Sequence, residues 1–430
     1  MNIIEIIPGS GGSFYCGNCL RDSKYVLALK KQGYNVTILP MYLPLFMEEN
    51  DTNNIPVFYG AISIYLKLRY PFLRNAPLWV DRLLNSRPLM KLAAGMAGST
   101  RAKGLEEMTV SMLLGEQGLQ KKELEKMVDW IAENCQPDVI HISNALLLGL
   151  AKRLKERLNV VITCSLQDED TWVEPMKAEF RKKIWELMHE RSEHVDAFIA
   201  VSSYYADYMK EHMNLPEKKI HSVLLGVDPA DYEPRPVKDK DRRIGFISRM
   251  CHANGLDILV DAFIELKNLP GYEDVSLLLT GGYTGDDKKF LRGIKRKIRR
   301  SGHKKDVEFH DEFDGSGRTR FFNRVSLMAV PLREGYAFGL FLLEAMASGI
   351  PVVQPALGAF PEIIDASDGG VTYPENTAQA LAAALADLLN DPKKVEKLSL
   401  AARKGVEDNF NIHKKTEKMI EVFRTAGAKD

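Results

Sequence analysis

Residues 330–364 read VPLREGYAFGLFLLEAMASGIPVVQPALGAFPEII, and the rest of the chain is organised around them. Val330 closes an apolar run, and Arg333–Phe338 is polar and turn-like. Gly339 to Ser348 predicts a short helix, with Gly349 where a left-handed residue ends one. Pro351 then opens a strand at Val352–Val353. Glu344 lies inside the helix between Leu343 and Ala345. A carboxylate in such company is costly unless paired, so it is either a salt-bridged structural residue or a grip on ligand hydroxyls. The helix start at Gly339–Leu340 offers free amides and a positive dipole end, which suits a phosphate. A hydroxyl grip beside a phosphate cradle points to a nucleotide.

The chain has 430 residues, which favours two α/β domains of about 200 residues each. Lys plus Arg equals Asp plus Glu at 58 each, so no global charge argues for nucleic acid. Five scattered cysteines (Cys16, Cys19, Cys135, Cys164, Cys251) argue against a disulfide framework and for a reducing compartment. The opening MNIIEIIPGS reads as a first strand, not a signal peptide, and no apolar run approaches the ~20 residues of a membrane span. A cytoplasmic protein is the expectation.

In chain order, a strand at Asn2–Ile7 leads through PGSGGSFYCGNC to a helix ending near Lys31 and a strand at Val36–Leu39. Strand, glycine loop, helix, strand opens a doubly wound sheet. Gly9, Gly11 and Gly12 let backbone approach a ligand, or simply turn the chain. Cys16 and Cys19 have a metal-ligand spacing, but no second pair or His cluster joins them, so no zinc site is expected. Residues 42–118 are the least decodable. Their aromatics, leucines and arginines suit either a lipid-facing surface or an insertion packed on its own domain, and we adopt the latter.

A helix is expected over Leu119–Asn134, a strand over 137–143, a helix over Ala145–Leu158 and a strand over Val160–Leu166. Gln167-Asp168-Glu169-Asp170 follows. Asp168 and Asp170 are read as solvated acids rather than metal ligands, and His141 as a core histidine. Glu174–His194 predicts a helix, 195–211 a strand and a helix capped by Ser202 or Ser203, and His221–Leu225 a strand. Pro229–Lys240 is the linker. Beyond it come RRIGFISRM (242–250), with Asn254-Gly255 as a turn before a helix, and strands at Val275–Thr280, Val307–Phe309 and Leu327–Val330. The basic run Lys288–Lys305 reads as a solvated helix face, with an anionic membrane or acidic partner as the second reading. Helices over Ala378–Asn390, Lys394–Asn409 and 412–426 complete the chain.

The motif at Glu344, Ala345-Met346-Ala347, Gly349, Pro351-Val352-Val353 and Gly358…Pro361-Glu362 resembles the donor signature of the retaining glycosyltransferases of family 4. The resemblance implies the GT-B architecture: α/β, two Rossmann-like doubly wound domains facing a cleft, with a C-terminal crossover helix. The domains would be 1–228, acceptor-side and carrying the 42–118 insertion, and 241–411, nucleotide-sugar-binding, with 412–430 packing back on the first. It further implies a metal-independent transfer of a hexose-type sugar from a UDP- or GDP-sugar, with no permanently bound cofactor. The acceptor would be a carbohydrate, a lipid-linked or a small molecule, with peripheral contact at the inner face of a membrane.

By the same resemblance, Glu344 would hold the ribose, and Arg249 with the amides around Phe338, Gly339 and Leu340 the diphosphate. Gly11 and Gly12 would shape the facing loop. Gln167, where the family has a His, and Glu334 or Tyr336 would hold the sugar. The family's first Glu falls on Tyr336, with Glu334 two residues upstream, and its diphosphate Lys falls on Asn254. These departures motivate a second expectation, a weak or inactive sugar-nucleotide-binding subunit. An epimerase or phosphorylase lacks a matching constellation.

Overall fold

The computed structural model describes residues 1–8, 17–41, 104–237, 240–313 and 315–428. Twelve strands are described: β1 (Asn2–Ile7), β2 (Asn35–Pro40), β3 (Val139–Ile142), β4 (Val161–Leu166), β5 (Ala197–Ala200), β6 (Ile220–Ser222), β7 (Arg243–Ile247), β8 (Ser276–Thr280), β9 (Val307–Phe309), β10 (Leu327–Met328), β11 (Val352–Pro355) and β12 (Gly370–Tyr373). They form two six-stranded sheets, ordered β2-β1-β3-β4-β5-β6 and β12-β11-β10-β7-β8-β9. Every described pairing is parallel. Parallel strands are covered on both faces, which is why VIHI and RIGFI are almost wholly buried rather than alternating.

The chain divides into two compact units. One takes in β1, Asn18–Leu224 and the stretch from Thr416; the other runs from Leu225 to Lys415. The helix Ile412–Gly427 therefore begins in the second unit and ends in the first.

Strand order locates where each unit can take a ligand. In the second sheet the chain works outward from β7 through β8 to β9, then returns to the other side of β7 with β10. The connections after β7 and β10 thus diverge, and a crevice opens at the carboxyl ends of these neighbours, the switch point where open α/β sheets bind ligands. Arg249 follows β7 and Arg333–Gly339 follows β10. In the first sheet the equivalent point lies between β1 and β3.

Several expected elements differ. The helix expected over Ala145–Leu158 is a 3-10 turn, Ala145–Leu150, before an α-helix, Ala151–Leu158. Asn144 caps its first turn by accepting from the Leu146 amide, and Gly149 is pressed so closely on the Met112 carbonyl that a Cβ would lie 1.9 Å from it. The helix expected over Glu174–His194 is shorter: a separate short helix, Glu169–Val173, stops ahead of Pro175, which lacks an amide to continue it, and the α-helix proper is Ala178–Arg191. The helix expected from Leu119 begins at Lys121, and the strand expected at His221–Leu225 is only Ile220–Ser222. A helix at Phe360–Ser367 and strand β12 were not foreseen, although Pro361 in the first turn is a helix-start signal. The end of the supposed insertion belongs to the first unit: in helix Glu106–Leu114 the Thr109 hydroxyl accepts from Trp172 Nε1 (3.1 Å) and the Leu113 carbonyl from Arg191 Nε (3.0 Å). The rest of the expected insertion, residues 42–103, lies outside the described residues.

Lys240, at the end of the linker, donates to the carbonyls of Phe322 (3.2 Å) and Val325 (3.1 Å). Burial, with the Arg235 cation nearby, pulls its amine down to about 8. Between about 8 and the ordinary 10.5 the unfolded chain holds a proton that the folded chain releases, so stability rises with pH across that window. Acetic anhydride labelling near pH 8 should therefore modify Lys240 ahead of exposed lysines, and Arg235→Gln should slow it.

Candidate active site

In the second unit the switch-point loops are stitched together. The Arg333 amide donates to the Ala253 carbonyl (3.1 Å), its Nε to the His252 carbonyl (3.1 Å) and its Nη2 to Asp257 Oδ2 (2.5 Å). Gly255 makes this approach feasible: its φ is +70° and a Cβ there would stand 1.8 Å from the Pro331 carbonyl oxygen. Asn254 is a loop-fixing residue, since its Nδ2 donates to Ser248 Oγ (2.8 Å) and to the Arg249 carbonyl (3.0 Å). Both amide hydrogens are spent on the loop that carries Arg249, and none remains to stand in for a lysine.

Arg249 is held as a fork. Its Nε donates to Asp287 Oδ2 (2.9 Å), and its Nη2 to Asp287 Oδ1 (3.2 Å) and Thr284 Oγ1 (2.9 Å). Thr284 and Asp287 form a capping box ahead of the helix Lys288–Arg300. Burial pushes Asp287 up, but hydrogen bonds from Arg249 and Thr284 outweigh it and leave the carboxyl below its ordinary value. The cation is thus rigidly placed, with an anion already beside it.

The helix after the β10 loop is Leu340–Ala347, capped by Gly339, and all eight of its residues are buried. A helix apolar all round belongs in a core, so Glu344, 0% exposed, has to be paired. The Tyr232 hydroxyl donates to its Oε1 (2.8 Å), and Arg318 Nε lies 3.3 Å from the same oxygen. Both contacts fall on the one oxygen, Oε1. Arg403 Nη1 completes the arrangement by facing the carbonyls of Pro229, Tyr232 and Ala347 at 2.7–3.0 Å, a cation at the helix's negative end.

Phe338 and Leu340, at the helix start, are both buried. Tyr336 is half-buried, and its carbonyl accepts from the Ala359 amide (3.0 Å). Its backbone crosses Gly358, whose φ is +57° and whose absent Cβ would lie 2.3 Å from the Tyr336 nitrogen. That contact explains the glycine of the G-x-x-P-E motif. Glu334 is exposed on the loop. Arg249 and Asn254 thus lie on the loop after β7, and the 333–340 segment on the loop after its neighbour β10, with Arg333 tying the two loops together. Sequence reasoning missed Arg318, Tyr232, Asp287 and Thr284; only the Thr-x-x-Asp capping pattern of the last two was visible in advance.

Gln167 follows β4 in the first unit, and Gly11 and Gly12, like Cys16 and the side chain of Cys19, lie outside the described residues. Gln167 Nε2 donates to the Ser143 carbonyl (2.6 Å). One face of this sheet is polar toward its carboxyl edge: His141 and Ser143 on one strand, and Thr163, Ser165 and Gln167 on the next. His141 is the core histidine expected, fully buried between Thr163 Oγ1 and Ser165 Oγ, each 2.8 Å away. Burial, helped by Arg21, holds it well below its usual value, so it is neutral. Arg21 Nη2 donates to Ser165 Oγ (2.6 Å), and burial, opposed by Arg21, raises Asp22 to about 6. Asp168 and Asp170, expected to be solvated, are both half-buried, while Glu169 between them is fully buried and accepts from the amides of Ala145 (2.8 Å) and Gln167 (2.7 Å); the Tyr205 hydroxyl lies within hydrogen-bonding distance of Glu169 and Asp170, its one proton shared between them.

Comparison with known proteins matches these two units separately. Residues 113–231 match the family described as Glycosyltransferase Family 4, and residues 241–391 the one described as Glycosyl transferases group 1. The sucrose-phosphate synthase of Thermosynechococcus elongatus superposes with a TM-score of 0.74 at 17% identity, over 99% of each chain. Anabaena Alr3699/HepE, solved in complex with UDP and glucose, gives 0.67 at 15%, over 99% of this chain and 100% of that one. The fold is therefore the GT-B arrangement of two Rossmann-like domains. The two family models and the named relatives together support a family 4 glycosyltransferase. It is 27% identical over 244 residues to the lipopolysaccharide core biosynthesis mannosyltransferase LpsB of Rhizobium meliloti (strain 1021), covering 54% of this chain and 66% of that protein. Such matches span between about half and two thirds of the relatives' length.

Two outcomes follow. Gly255→Ala should destabilise the second unit by about 1–2 kcal/mol from the left-handed backbone alone, with the Pro331 clash adding to it, as read by urea unfolding. Arg318→Met should cost about 3–5 kcal/mol by leaving the buried Glu344 charge without its Arg318 cation, whereas Arg318→Met with Glu344→Leu should regain most of that loss.

Proposed function

We propose that the chain is a metal-independent, retaining glycosyltransferase that moves a hexose-type sugar from a UDP- or GDP-sugar to a carbohydrate, lipid-linked or small-molecule acceptor. The observation that carries this reading is the convergence, at the second sheet's switch point, of a fixed guanidinium and a helix N-terminus in a chain of this family. In it, Arg249 and the Gly339–Leu340 amides take the diphosphate, where negative charge grows as the glycosidic bond breaks. Glu344, its Oε1 fixed by Arg318 and Tyr232, serves the ribose. Gln167, with Glu334 or Tyr336, serves the sugar. The leaving phosphate takes the acceptor's proton, so the reaction requires no strong side-chain base. The UDP in the Anabaena Alr3699/HepE complex and the mannosyl transfer for which LpsB is named support the nucleotide-sugar class. No helix among the described residues is long and apolar enough to cross a membrane; we infer action in the cytoplasm, peripheral to the inner face of a membrane.

The second reading, a sugar-nucleotide-binding subunit with weak or no turnover, is favoured by Asn254, whose amide is committed to the loop, and by exposed Glu334. Calorimetric titration with UDP, GDP and ADP, followed by donor hydrolysis, separates the two. One nucleotide should bind. The Arg318→Met/Glu344→Leu pair should remain folded yet bind about 10–100-fold more weakly, the range of a hydrogen bond to a charged group. Arg249→Gln should lower the hydrolysis rate by about a hundredfold or more. Binding without turnover, even after Asn254→Lys, would establish the second reading.

A further inference from the structure

The helix Lys288–Arg300 and the turn behind it carry a charge that the donor chemistry does not use. Ten lysines and arginines and no acid lie between 288 and 305, in a chain whose net charge is zero. Leu291, Ile294 and Ile298 form the buried stripe, one side of the helix committed to the core of its own unit. At 100° per residue, Lys289, Arg292, Arg296, Arg299 and Arg300 fall on the opposite side within an arc of roughly 100°. All five are exposed.

The cations at the margins of this face have partners within the unit. Lys297 reaches Asp261 (2.7 Å), and Lys295 sits over the Phe309 ring at 4.7 Å. The five outward ones meet no acid among the described residues. Gly293 stands among them, and a Cβ there would meet nothing within 4 Å. An outward glycine in mid-helix weakens the helix without relieving any contact. It does keep the basic face low and open.

We propose that this face docks the protein on an anionic phospholipid surface. Five like charges on a convex helix, with no groove and no aromatic among them, suit a planar array of charges. They do not suit a strand of nucleic acid, which is gripped along a groove and by stacking. Because the apolar stripe is already buried in the unit, contact is electrostatic adsorption without insertion. It is therefore fully reversed by salt, unlike an amphipathic helix that buries its apolar side in lipid. The inference does not depend on the transfer reading, and nucleotide titration reports on that reading separately.

The test is co-sedimentation of the full chain with vesicles of phosphatidylcholine, alone or mixed with phosphatidylglycerol. Binding is expected only to the mixed vesicles. It should be lost near 1 M salt, where the screening length is about 3 Å. The triple variant Arg292→Gln/Arg296→Gln/Arg299→Gln should lower the partition coefficient by about a hundredfold, while the corresponding triple lysine variant keeps it. Circular dichroism melts confirm that both variants are folded. Equal partition onto neutral vesicles, an unaffected glutamine variant, or tighter binding to a DNA duplex than to anionic vesicles in the same salt would overturn the proposal.

Discussion

One buried carboxylate sets the terms for the second unit. Glu344 lies in a helix with no exposed residue, where an ionised group is tolerated only if its charge is answered. Arg318 and Tyr232 answer it from two other segments, a helix preceding β10 and the stretch leaving the first unit. Arg403 then fastens the Tyr232 segment to the last turn of the Glu344 helix. The helix N-terminus at Gly339 is therefore fixed in position by a pairing several residues away. A phosphate held on backbone amides requires that rigidity, because the amides have no side-chain freedom with which to follow a ligand.

Arg249 follows the same logic with opposite sign. Its guanidinium is braced by Asp287 and Thr284, and its loop by Asn254, Gly255 and Arg333. A braced cation loses little entropy on meeting a diphosphate, but Asp287 offsets part of its charge. A site of this kind gives orientation more readily than raw affinity, which suits stabilisation of charge that appears only in the transition state. In the first unit one face of the sheet is polar toward its carboxyl edge, the edge at which open α/β sheets bind ligands.

The sequence made the architecture legible because apolar runs, glycine turns and proline starts are local signals. The motif at 339–353 also located the Glu344 helix to within one residue at each end. Errors arose where tertiary contacts override propensity. Ala145–Leu150 winds tightly because Gly149 is pressed on another helix, and Asp170, expected to be solvated, is half-buried beside the Tyr205 hydroxyl. The partners of Glu344 were not legible at all, since Arg318 and Tyr232 approach from 26 and 112 residues away in sequence. Asn254 could be read either as a lysine's substitute or as a turn residue, and only its hydrogen bonds distinguish the two.

The central claim is that Arg249 and the Gly339–Leu340 helix start hold a nucleoside diphosphate at the second switch point. A crystal structure with the nucleoside diphosphate that binds tightest tests it most directly. The account predicts both phosphates within hydrogen-bonding distance of the Arg249 guanidinium and the Gly339–Leu340 amides, about 2.7–3.2 Å, with Arg318 still on Glu344. A nucleotide seated elsewhere, with Arg249 engaged only by Asp287 and Thr284, would contradict it.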